Sequence, residues 1–187
     1  MKNLVFLLEE PSAKDLLIGL LPKLIPENVD VRYVVFEGKQ DLEKGLIRKL
    51  RRWRLPDSAF VVLRDQDAGD CHEVKSRLAK LAEESERDPV VVRVACRELE
   101  SWAVGDWEAV GAAFEMPHLK EQAGKAVYRN PDILVRPVEM LRKFVPEYQK
   151  RDGARRIGPL LQVDRNHSPS FRAFCAGVMK LVAPEVR

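Results

Sequence analysis

The chain has 187 residues, 45% hydrophobic and 33% charged, a balance that suits one globular core and excludes disordered, fibrous and membrane-embedded classes. A net charge of +3, from 32 basic and 29 acidic residues, is too small to name a nucleic-acid partner by itself. The cysteines Cys71, Cys96 and Cys175 are widely spaced with no CxxC pair, which argues against a disulfide framework or a zinc site and for reduced thiols.

The first element is the apolar run 4–8, read as a strand covered on both faces. It is too short for a signal core or a membrane span, and Glu9 and Glu10 follow at once, so a cytoplasmic protein is expected. Pro11-Ser12 then opens a helix. Ser12 is its predicted N-cap and Asp15 the carboxylate of a capping-box-like start, with an apolar stripe of Leu16, Leu17, Leu20 and Leu21 ending near Pro22. The unit recurs as a strand over 29–36, a turn at Glu37-Gly38 and a helix over 41–53, with Leu42, Leu46 and Leu50 in register. A third strand over 59–63 leads to a helix from Asp70 through Val74, Leu78 and Leu81, and a fourth strand covers 90–95. Beyond it the pattern is helical and punctuated by Pro117, Pro131, Pro137 and Pro146.

Strands alternating with helices predict an α/β fold, a mainly parallel sheet of about four strands flanked by helices, with ligands beyond the carboxyl ends of the strands. Residues 1–107 form the expected α/β core and 108–187 a helical extension packed on it, together one domain.

Each strand ends in acid: Glu9 and Glu10, then Glu37, then Asp65 and Asp67, then Glu98 and Glu100. Carboxylates gathered at one edge repel one another unless a cation compensates them. Mg²⁺, with Mn²⁺ as a substitute, suits such a site because it takes oxygen ligands and keeps several waters. On an extended strand Asp65 and Asp67 would share a face. Acids at strand ends and helix starts also serve as ordinary caps, the plainer reading for Glu10, Asp41 and Asp70.

Two basic zones stand out. Around the first, Leu50-Arg51-Arg52-Trp53-Arg54 mixes cations with an aromatic and could track a phosphate backbone; a solvated helix face with Trp53 in the core is the alternative. The second gathers Arg142, Lys143, Lys150, Arg151, Arg155 and Arg156. Lys39 and Lys14 fall near the acidic edge and either neutralise a phosphate or are solvated helix-entry lysines.

The segments V-F-L-L-E-E-P-S-A-K and V-V-L-R-D-Q-D-A-G-D resemble the Toprim pattern of strand, Glu and helix followed by strand and D-x-D. With V-F-E-G-K-Q-D-L-E-K and C-R-E-L-E-S-W, they resemble a bacterial family of unknown function in the Toprim-like group, related to the overcoming-lysogenisation-defect nucleases. The resemblance implies Glu9 as metal ligand or general acid/base, Asp65 and Asp67 as the metal pair, and Glu98 and Glu100 as acids for a second metal. The chain departs from the pattern in having Glu10 where Gly is common and Ala13 where an acid is common.

The function this implies is Mg²⁺-dependent hydrolysis of nucleic-acid phosphodiester bonds. Glu9, Asp65, Asp67 and Lys39 would be catalytic, with Lys14, Arg51, Arg52 and Arg54 on the nucleic acid. Because no G-x-x-x-x-G-K-[ST] is present, an ATPase partner in phage defence would be a separate chain; a homodimer is also allowed. The competing reading is a non-catalytic metal- and nucleic-acid-binding or regulatory subunit of an ATPase system. A phosphoacceptor like a response-regulator receiver is a third class, although the receiver's lysine after a fifth strand is not evident.

Overall fold

A computed structural model describes residues 2–183. Four strands, β1 (Lys2–Leu8), β2 (Val29–Val35), β3 (Ser58–Asp65) and β4 (Val90–Ala95), form one sheet in the order β2-β1-β3-β4, every pair parallel. The α-helices are α1 (Pro11–Leu20), α2 (Lys39–Arg51), α3 (Cys71–Glu84), α4 (Glu100–Val104), α5 (Trp107–Ala113), α6 (Pro137–Phe144), α7 (Lys150–Ile157) and α8 (Pro169–Val182). No helix among the described residues is long and apolar enough to cross a membrane.

The central strands are continuously apolar over residues 4–8 and 59–63 because both faces are covered there. Val5, Leu7, Phe60 and Val62 pack on one side against Leu42, Leu46 and Leu50 of α2 and Val74 and Leu78 of α3. Leu4, Phe6, Leu8, Val61 and Leu63 pack on the other in a larger core with α1 and the C-terminal helices. There Trp102 meets Phe171 edge-on and Phe174 at a tilt, and Phe174 meets Phe6 at 6.3 Å between ring centres. The helical extension therefore shares its core with the sheet.

Local chemistry sets the helix starts. Gly38 precedes α2 at φ 100°, a conformation that disfavours any residue with a Cβ. The Asp70 side chain caps α3 by accepting the N–H groups of His72 and Glu73. The helix α1 departs from expectation: it begins at Pro11, and Ser12 donates to the Glu10 carboxylate instead of capping a backbone N–H. Asp15 is not a capping-box acid either, since Arg151 of α7 claims it at 2.6 Å. At Gly158, just after α7, a Cβ would lie 2.4 Å from the Leu16 carbonyl oxygen of α1. That close approach holds α7 against α1 and so fixes where its first residue, Lys150, reaches.

Candidate functional site

In the strand order β2-β1-β3-β4, the chain leaves β1 for one neighbour and reaches its other neighbour, β3, by a longer crossover. The gap beyond the carboxyl ends of β1 and β3 is thus the topological switch point, where open α/β sheets place their ligands. Glu9 follows β1 there and Asp65 closes β3, and the Asp65 N–H donates to Glu9 Oε2 at 3.1 Å. Burial holds the Glu9 carboxyl above the usual range; the Asp65 N–H opposes that shift and the charge of Asp67 adds to it.

Alternation along β3 sends its last two side chains to opposite faces. Arg64, buried on the α2 side, lies 3.7 Å from Glu9, 3.8 Å from Asp67 and in contact with the Glu43 carboxylate of α2. Asp65 faces the α1 and α7 side, buried, and its carboxyl is held well above the ordinary range by burial and then by the charges of Glu10 and Glu100. Lys150 opposes those acids, with Nζ 3.6 Å from Glu100 Oε2 and 3.9 Å from Glu10 Oε1. Burial works against the Lys150 ammonium, yet Glu100 and Glu10 more than compensate and raise its pKa.

Glu100, 3% exposed, is pushed up to about 7, first by burial, with Lys150 pulling the other way and Glu10 and Glu98 adding to the rise. Tyr148 hydrogen-bonds it and is itself raised by burial. Between about pH 4.5 and 7 the folded chain holds a proton on Glu100 that the unfolded chain has lost. Stability of the metal-free protein must therefore fall as pH rises across that window, by on the order of 3 kcal/mol. Thermal melts in chelator from pH 5 to 8 should show this fall, and Glu100→Gln should flatten it.

Asp67 does not sit on an extended strand with Asp65. Strand β3 stops at Asp65, and Asp67 adopts φ 57° in the left-handed region. Gln66 sets that turn: its N–H donates to the Ala95 carbonyl, its Oε1 accepts the Arg97 N–H, and the Asp67 N–H donates to the Arg97 carbonyl. Asp67 is consequently half-exposed and paired with Lys39 at 2.8 Å. The two aspartates belong to different halves of the site.

A divalent cation fits the donor chemistry. Every acid offers hard oxygen, and Glu98 Oε2 and Glu100 Oε2 are buried with no hydrogen-bond partner among the described residues. The side chains are not drawn to one point, however: among the described residues no three His, Cys, Asp or Glu groups stand ready to hold an ion. The ammonium of Lys150 supplies positive charge beside Glu10 and Glu100.

The expected cationic residues separate. Lys39 is at the site through Asp67, whereas Lys14 lies over the Tyr33 ring at 5.9 Å. Arg51, Arg52 and Arg54 connect the end of α2 to the start of β3, at the opposite edge of the sheet, roughly 23 Å away along that strand. Arg52 and Arg54 line a hollow of about 290 Å³ with Arg32, Trp53 and Leu55, and Arg51 donates to the Glu84 carbonyl. Trp53 is only partly buried, edge-on to Phe60. Besides Arg64 and Lys39, Lys150 reaches the acids of the site, and its only sequence signal is membership of the second basic zone.

Residues 8–179 match the model of the family described as Domain of unknown function (DUF4276). The fold is similar to that of the C-terminal region of the Burkholderia pseudomallei OLD protein, with a TM-score of 0.54 and 16% identity over 96% of this chain and 98% of that one. No curated protein matches.

Proposed function

From the premise that this chain belongs to the family described as Domain of unknown function (DUF4276), we propose that it is a Toprim-type, Mg²⁺-dependent nuclease that hydrolyses phosphodiester bonds. The observation that carries the reading is the meeting of Glu9 with Asp65 at the switch point, beside the buried carboxylates of Glu98 and Glu100, whose Oε2 atoms accept no hydrogen bond among the described residues. Carboxylates this crowded retain a strong demand for positive charge even with Lys150 present. The likeness of fold to the OLD C-terminal region agrees with the nuclease resemblance of the strand-end motifs.

Glu9, Asp65, Glu98 and Glu100 would hold the ion, with Asp67 joining when substrate phosphate draws Lys39 away from it. When bound, Mg²⁺ or Mn²⁺ neutralises these acids and polarises a phosphoryl oxygen. Glu9 either ligates the ion or accepts a proton from the attacking water, and its place at the switch point beside Asp65 serves both roles. Lys39, half-exposed, and Lys150 are positioned to meet phosphate charge. Tyr148 lies beside Glu100, but burial and the neighbouring acids hold its phenol protonated, so water is the nucleophile. The protein would act in the cytoplasm on DNA or RNA, with a separately encoded ATPase in phage defence, as a monomer or homodimer.

Assays with Mg²⁺ or Mn²⁺ on single- and double-stranded DNA and RNA test this reading. Asp65→Ala and Glu9→Ala should each lower cleavage at least about 100-fold without unfolding the chain. Equal cleavage by wild type and both variants would contradict it. The salt links Lys150–Glu100 and Lys39–Asp67 favour a second reading, a non-catalytic metal- and nucleic-acid-binding or regulatory subunit. Metal binding by wild type without cleavage of any substrate would select it.

A further inference from the structure

Cys71 and Cys96 are 25 residues apart in sequence, yet their sulfurs stand 3.0 Å from each other. Cys71 is the first residue of α3, fixed by the Asp70 cap, and Cys96 follows the last residue of β4. The Cys96 backbone is held on both sides, its N–H donating to Ser170 Oγ at 3.3 Å and its carbonyl accepting the Ser101 hydroxyl at 2.9 Å. Cys71 and Cys96 are both partly exposed, whereas Cys175 is buried. A disulfide needs the sulfurs only about 1 Å closer, a distance side-chain torsion can supply.

We propose that Cys71 and Cys96 are a redox modification site, converted by a hydroperoxide into an intramolecular disulfide and restored by a thiol. One thiolate attacks the peroxide, the O–O bond breaks, and the sulfur becomes a sulfenic acid. The second sulfur attacks the first, the S–O bond breaks and water leaves. In balance, two thiols and one H₂O₂ give one disulfide and two waters. The bond would staple the start of α3 to the end of β4, on either side of the turn where Gln66 and Asp67 are hydrogen-bonded to Ala95 and Arg97. Oxidation would thus lock the segment that carries Asp67 against the one that leads to Glu98. The bond forms or fails independently of whether the protein is a nuclease.

The test is mild H₂O₂ treatment of the reduced full-length protein, followed by alkylation and non-reducing peptide mapping. Accessible thiols, counted after unfolding, should drop from three to one per chain. The mass should fall by two hydrogens with the Cys71 and Cys96 peptides joined, and dithiothreitol should reverse the change. Cys71→Ser should prevent the joined peptide and Cys175→Ser should leave it intact. The proposal is overturned if both peptides are recovered separately after oxidation, whether alkylated or carrying sulfinic acid, or are joined only between two chains. Mapping in wild type decides the matter even if a variant fails to fold.

Discussion

Asp65→Asn should raise the melting temperature of the metal-free protein and at the same time reduce its stabilisation by Mg²⁺. The carboxylate of Asp65 is buried, and Glu10 and Glu100 add like charge to the cost of burial, so a neutral amide of the same shape relieves both. The contact with Glu9 uses the backbone N–H of residue 65 and survives the change. The gain should be about 1–3 kcal/mol, or about 2–10 °C for a chain of this size. Scanning calorimetry in chelator and then in excess Mg²⁺ separates the two effects. A purely structural Asp65 predicts the reverse, a less stable variant whose response to Mg²⁺ is unchanged. Sites that hold charge for chemistry commonly carry such a stability cost.

Lys150→Met should act in the opposite sense. The methionine keeps most of the stem but removes the ammonium that faces Glu10 and Glu100. Because Glu100 is almost fully buried, its charge is left uncompensated; because the lysine head is partly exposed, water moderates the loss. The metal-free variant should lose about 1–3 kcal/mol at pH 8, and less at pH 5 where Glu100 is protonated. Excess Mg²⁺ should restore more stability to the variant than it adds to wild type, since the ion takes over the role of the ammonium. Urea titrations at the two pH values, with and without Mg²⁺, read this directly. A loss that is the same at both pH values and insensitive to Mg²⁺ would show that Lys150 matters only through packing.

The positions of the acids were legible in the sequence because strand ends were. The apolar runs of β1 and β3 need cover on both faces, and in a parallel sheet their carboxyl ends share one edge, which puts Glu9 beside Asp65 before any side chain is placed. The same topology also fixes Arg51, Arg52 and Arg54 at the far edge, because a helix-to-strand connection must lie there. That Asp67 leaves the face of Asp65 is not legible in D-x-D, because bonds between Gln66 and residues 95 and 97, some thirty positions on, bend the chain at that point. Lys150 was out of reach for a related reason. Its place depends on α7 closing against α1 through Gly158 and Leu16, a contact between residues about 140 apart that no local pattern encodes.

In the function proposed, acids from separate βα turns form one cation site at the gap between β1 and β3. Calorimetric titration of Mg²⁺ and Mn²⁺ into the purified chain tests it most directly. Saturable binding by wild type, weakened about tenfold or more by Asp65→Asn and by Glu9→Gln, is the result this account predicts. Failure of wild type to bind either ion, or undiminished binding by both variants, would contradict it.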